Sequence, residues 1–155
     1  MTLKDILKEL KRGIKETSKY VFSHHKKENY YKCYLFKLKN HQIAICSRCL
    51  GIYLGIAMGG ILFSLQILNK NVYYSSIAFF PIFIIIDWSI SAFTKYKSNN
   101  LLRTTSGMFL GVAYAFGLIL FFKTFPNYFV IIIGFFYLIL TLLLILIKEK
   151  YIENI

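Results

Sequence analysis

Residues 128–147 read YFVIIIGFFYLILTLLLILI, twenty consecutive positions without a charge. A helix rises about 1.5 Å per residue, so about 20 apolar residues cross a hydrocarbon core about 30 Å thick. In lipid such a stretch is a helix and not a loop, because each backbone N–H and C=O must pair internally. Working back along the chain, the pattern recurs three times. Residues 105–122 carry no charge, residues 72–94 carry only Asp87, and residues 50–68 carry none. One such run fits a buried core helix of a soluble protein; four do not. The sequence predicts an all-α integral membrane protein whose four transmembrane helices form a bundle over residues 50–148, followed by a short tail at 149–155.

Composition agrees. Of the 155 residues 57% are hydrophobic, 18% aromatic and 17% charged, where an average soluble domain has roughly 25% charged residues. A disordered chain is excluded by this apolar content, and a soluble DNA-binding domain could not hide so many Phe, Ile and Leu side chains. The net charge of +12 comes with no recognised nucleic-acid motif, so nucleic acid is not an expected partner. The positive charges are unevenly placed. Seventeen Lys and Arg fall in residues 1–48, 95–104 and 148–155, and two, Lys70 and Lys123, fall in the other turns. The positive-inside rule then puts both termini and the middle loop in the cytosol. The expected location is the cell membrane, multi-pass, with the lipid bilayer as the first partner.

Residues 1–22 lack the apolar centre of a signal peptide. Leu3, Ile6, Leu7, Leu10, Ile14 and Val21 share one helical face, and Lys4, Lys8, Lys11, Lys15 and Lys19 the other. Thr2 with Asp5 resembles a capping box. The segment reads as an amphipathic helix on the anionic leaflet; its alternative is a helix packed on the rest of the protein.

Residues 23–49 hold all three Cys and all three His of the chain. YLFKL and QIAI flank the turn-like Lys39-Asn40-His41, which predicts a small β-hairpin on the cytosolic side. With the turn centred on Lys39-Asn40, Cys33 and Cys46 are opposed, with Cβ atoms about 4.5–5.5 Å apart. Cys49 lies one helical turn beyond Cys46. Three sulfurs can then meet, with His24 or His25 as fourth ligand and His41 left at the hairpin tip. Zn²⁺ favours such tetrahedral Cys₃His shells, so zinc in a structural role is the expected cofactor. Cytosolic thiols stay reduced in most organisms, which favours metal over disulfide. A redox-active Cys46/Cys49 pair and unliganded thiols are the alternatives.

Cys46-Ser47-Arg48-Cys49-Leu50-Gly51-Ile52-Tyr53-Leu54-Gly55, preceded by Cys33, resembles the prokaryotic predicted membrane proteins grouped as domain of unknown function 2085. Asp87, the stretch Ser98-Asn99-Asn100-Leu101-Leu102-Arg103 and the pair Ser106-Gly107 extend the resemblance over roughly residues 22–118. It implies a membrane fold and singles out these residues, Tyr53 among them, without implying an activity.

Gly51, Gly55 and Gly59 share one face of the first span, and Gly107 and Gly111 one face of the third. Small residues at this spacing let helix backbones approach closely, within the chain or in a homo-oligomer. Asp87 sits eight residues before Lys95, about 12 Å deep, where an acid is a functional-site hypothesis by default; Arg48 and Arg103 are its candidate partners. Pro81 predicts a kink in the second span. Asn99, Asn100 and Arg103 open the third helix, where free N–H groups and a guanidinium suit an anion, although Ser98 or Asn99 also suits a plain N-cap. Arg48, Tyr53, Asn99, Asn100 and Arg103 are thus the candidate substrate-binding residues, and Asp87 the candidate acid or base. They point to one cavity at the cytosolic leaflet that binds or processes an anionic, lipid-linked substrate. A thiol–quinone oxidoreductase using Cys46 and Cys49, and a small transporter or oligomeric channel, are the competing readings.

Overall fold

The structure, a computed structural model, describes residues 27–38, 41–66, 68–94 and 98–153, together with Asp5 and Glu9. A short 3-10 helix, Lys27–Lys32, leads into strands β1 (Cys33–Leu38) and β2 (His41–Cys46). Four helices follow: α1 (Ser47–Ser64), α2 (Lys70–Phe93), α3 (Asn100–Lys123) and α4 (Tyr128–Glu153). All four are long and apolar enough to cross a membrane, so the chain is a helical membrane protein with a small antiparallel hairpin. The amphipathic helix expected at 1–22 lies outside the described residues, apart from Asp5 and Glu9.

The hairpin register pairs Leu38 with His41 and Cys33 with Cys46, as the equal distances of the two cysteines from the turn require. Strand β2 runs into α1 without a linker, since Ser47 follows Cys46 directly. The side chain of Ser47 donates to the carbonyl of Lys32 at 2.9 Å, tying the helix start back to the hairpin start. Thr104 of α3 joins both: its Oγ1 lies 3.1 Å from the Tyr34 hydroxyl and donates to the Ser47 carbonyl at 3.2 Å.

Helix α3 is the centre of the bundle. It packs against α1 on one side and α2 on the other, and it is the most buried span. The α1–α3 crossing is made by glycine. A Cβ on Gly51 would stand 2.1 Å from the Thr104 carbonyl oxygen, and one on Gly55 2.2 Å from that of Met108. From the other helix, a Cβ on Gly107 would stand 2.5 Å from the Arg48 carbonyl oxygen. No side chain fits there, so the two backbones touch. Gly51, Gly55 and Gly59 of α1 and Gly107 and Gly111 of α3 are thus occupied by each other's helix within the chain.

Away from the hairpin, the bundle is closed by an apolar core of Tyr73, Ile77, Val112, Phe116 and Leu120. The Tyr73 ring meets Phe63 at 4.9 Å and Phe116 edge-on at 4.8 Å, the offset geometry that aromatic quadrupoles favour. Helix α4 differs from the others: none of its apolar stretch is buried. It is held at its ends by Tyr74 against Phe129 and by Tyr151 against Phe93. In the middle, the Tyr137 hydroxyl donates to the Ala78 carbonyl, close to Pro81.

Helix α3 starts at Asn100, five residues before the apolar run that marked it in the sequence. A count of uncharged residues stops at Arg103, but a charge held by protein does not end a helix.

Candidate functional site

The hairpin end of the bundle holds the polar residues. Arg48, in the first turn of α1, reaches across to Asp87 of α2 with two nitrogens. Its Nε donates to Oδ2 at 2.9 Å, and its terminal nitrogen pairs with the same oxygen. The Ser98 hydroxyl donates to the other carboxylate oxygen at 2.5 Å. Asp87 is 5% exposed, so this intramembrane acid has a cation on one oxygen and a hydroxyl on the other. That satisfies the demand placed on any charge buried in lipid.

Arg103 is the second guanidinium. It is 3% exposed, one turn into α3, and within electrostatic reach of Arg48, Asp87, Cys46 and Tyr31. The Tyr31 ring lies 6.0 Å from its guanidinium carbon, a cation–π distance. Its Nε has no hydrogen-bond partner among the described residues, and neither has the buried Oδ1 of Asn100. Asp87 is the only acidic residue between positions 29 and 148. One carboxylate therefore serves the buried Arg103 and the part-buried Arg48, and Arg48 holds it directly.

The thiols adjoin this cluster. Cys33 and Cys46 are 5% and 3% exposed, and Cys49 is half-buried. The Cys46 thiol lies within hydrogen-bonding reach of the Cys49 thiol, and Cys33 is near enough to act on Cys49 electrostatically. Among the described residues no disulfide links them, and no group of three or more Cys, His, Asp or Glu is arranged to hold a metal ion. The expected histidine ligands, His24 and His25, lie outside the described residues. The donor set that the structure places together is thus a contacting thiol pair with a third thiol opposite in register.

Not every candidate joins the site. Asn99 is exposed and caps α3, its side-chain oxygen accepting from the Leu101 N–H at 3.4 Å. Tyr53 is 48% exposed. It lies five residues from Arg48, about 140° around the helix at 3.6 residues per turn, and so faces away from the ion pair. Ser98, which reads as a cap in the sequence, instead serves the Asp87 carboxylate. Tyr31 carried no sequence signal; only the fold shows that the 3-10 helix delivers its ring to Arg103.

The sequence of residues 34–117 matches the family described as DUF2085, predicted membrane protein. The chain belongs to this family. The matched region holds the ion pair, Arg103, Cys46, Cys49 and all five glycines of the α1–α3 crossing. An uncharacterized protein of Methanothermobacter thermautotrophicus is 33% identical over 84 residues, which cover 52% of this chain and 73% of that protein. No solved structure matches the chain. As a member of the family the chain is a multi-pass membrane protein.

Proposed function

We propose that this family member binds an anionic, lipid-linked substrate at the membrane face that carries the hairpin. One observation carries the reading. Arg103 is buried with an unpartnered Nε, beside an acid already taken by Arg48. A buried guanidinium without a full set of acceptors is costly, and an acidic head group supplies them. Arg is suited to this because its planar fork matches phosphate and carboxylate. The nearby start of α3 adds the positive end of the helix dipole. Asp87 holds Arg48 in place. The acid–base role suggested by its depth requires it first to release Arg48 or Ser98.

The test compares phosphatidic acid with phosphatidylcholine by native mass spectrometry of the detergent-purified protein. Wild type should retain the acidic lipid preferentially, and Arg103→Gln should reduce that preference about tenfold, the loss of about 1.4 kcal/mol. An unchanged preference in a folded variant rejects the reading.

For the thiols we propose a structural zinc on Cys33, Cys46 and Cys49, with His24 or His25 completing the shell. A closed Cys₃His shell braces a fold and leaves no open position for chemistry. Its support here is the donor chemistry: three thiols on adjoining elements, two of them in contact. That same contact favours a second reading, in which Cys46 and Cys49 act as a dithiol that closes to a disulfide, passing two electrons and two protons to a quinone. The membrane side follows the charge count, with the hairpin face cytosolic. A channel or transporter has only Asp87 in its favour, and the chain carries no inverted repeat.

A further inference from the structure

Two cavities lie between α4 and the α2–α3 pair. The larger, about 600 Å³, is lined among others by Ile77, Pro81, Ala113, Gly117, Val130 and Gly134. The second, about 310 Å³, is lined by Ile85, Trp88, Thr141 and Ile145 and ends at Arg48. Leu110 walls both. Together they follow α4 from Val130 to Ile145, about 22 Å at 1.5 Å per residue, most of a hydrocarbon core of about 30 Å. The walls are hydrocarbon, and a guanidinium stands at the hairpin end. Lys148 adds a second cation there, 5.6 Å from the ring of Trp88.

The glycines on this groove are unlike those of the α1–α3 crossing. A Cβ on Gly134 would meet nothing within 4 Å, and one on Gly117 only Val130 Cγ1 at 3.8 Å. Neither glycine is needed for close packing, so their missing side chains serve to leave room. Asn127 bonds to Tyr74 at the far end of the groove and Lys148 stands over Trp88 at the near one, while Tyr137, tethered to the Ala78 carbonyl, forms part of its wall.

We infer that this groove is the seat of one linear lipid tail, lying along α4 with its acidic head turned toward the neighbouring Arg48 and Arg103, of which Arg103 keeps an unpartnered Nε. The occupant is a single-chain anionic membrane lipid. Apolar walls select the tail by burial, and the charge at one end fixes its direction. Only the head-group half rests on the anion reading above; the tail half stands on the groove itself.

The experiment uses the full-length protein in phosphatidylcholine nanodiscs, with a palmitic acid probe carrying a photoreactive diazirine in mid-chain. After irradiation, labelled peptides should cluster at residues 110–121 and 130–145, and excess unlabelled palmitate should compete the label away. Gly134→Phe starts from a Cβ position that meets nothing within 4 Å, projects its ring into the groove, and should lower the label there about tenfold, as expected for losing the burial of about two methylenes. Gly117→Leu, on the opposite wall, should do the same and guards against a folding defect in one variant. Arg103→Gln separates the two claims. It should abolish the preference for palmitate over hexadecanol as competitor while leaving the labelled positions unchanged; loss of the preference alone therefore speaks to the head group. Label spread evenly over lipid-facing residues such as Ile61, without competition, would overturn the inference by marking ordinary boundary lipid. Cross-links joining two chains through α4 would overturn it by giving the groove to a second copy.

Discussion

Asp87, Arg48 and Arg103 concentrate the energetics of the polar site in three side chains. Removing one member of a buried pair leaves its partner uncompensated, at a cost of about 3–5 kcal/mol. The Arg48 side chain keeps 22% of its exposure, which places Asp87→Asn at about 2–4 kcal/mol. Thermal unfolding in detergent should show this loss, and Arg48→Gln added to Asp87→Asn should cost less than the two separate losses together. Strict additivity would mean that the ion pair is not coupled in solution. The pairing of Asp87 with Arg48 was legible in the sequence because a lone acid in lipid needs a cation and few were in reach. Two details were not. Ser98 reads as a helix cap, since nothing in the neighbouring sequence points its hydroxyl to the Asp87 carboxylate of α2. Tyr31 looked like one aromatic among many, since contact with Arg103 depends on where the hairpin lands.

At the scale of the helices, glycine position separates packing from emptiness. Gly51→Ala places a Cβ against the Thr104 carbonyl and should destabilise the protein by about 1–3 kcal/mol, the usual cost of overpacking. Gly60→Ala meets open space and should be neutral or slightly stabilising through helix propensity. Equal melting temperatures for these two variants would show that α1 and α3 do not cross where described. Tyr137→Phe removes the mid-helix tether of α4 and should cost about 0.6 kcal/mol, the average for interhelical hydrogen bonds in membranes; a pulse-proteolysis measurement can resolve it. The four spans and the glycine crossing could be read directly from periodicity and small-residue spacing. The loose fit of α4 could not, because a helix apolar all round looks the same in sequence whether protein or lipid surrounds it.

For the whole molecule, charge and metal are the open axes. Single cysteines at positions 70 and 123, in a background without the native thiols, should react with an impermeant reagent from outside the cell, and position 97 should not. Labelling at 97 would invert the topology and remove the argument from a reducing compartment. Purified protein should carry about one zinc per chain, and Cys49→Ala should release it together with some thermal stability, since metal binding and folding are coupled. Metal-free folded protein with a Cys46–Cys49 disulfide would hand the thiols to the oxidoreductase reading.

The central place of α3 has a consequence for how the protein is made. Helices α1 and α2 are neighbours in sequence, but both lie mainly against α3 and meet each other through side chains such as Arg48 with Asp87 and Phe63 with Tyr73. Emerging from the ribosome, the first two spans have no backbone surface to share until the third arrives. Asp87 must enter the membrane with only Arg48 to answer it. Nascent chains stalled before α3 should therefore stay beside the insertion machinery or be degraded, whereas chains stalled after residue 123 should leave it and resist protease. In this protein the third span, not the first, commits the chain to its fold.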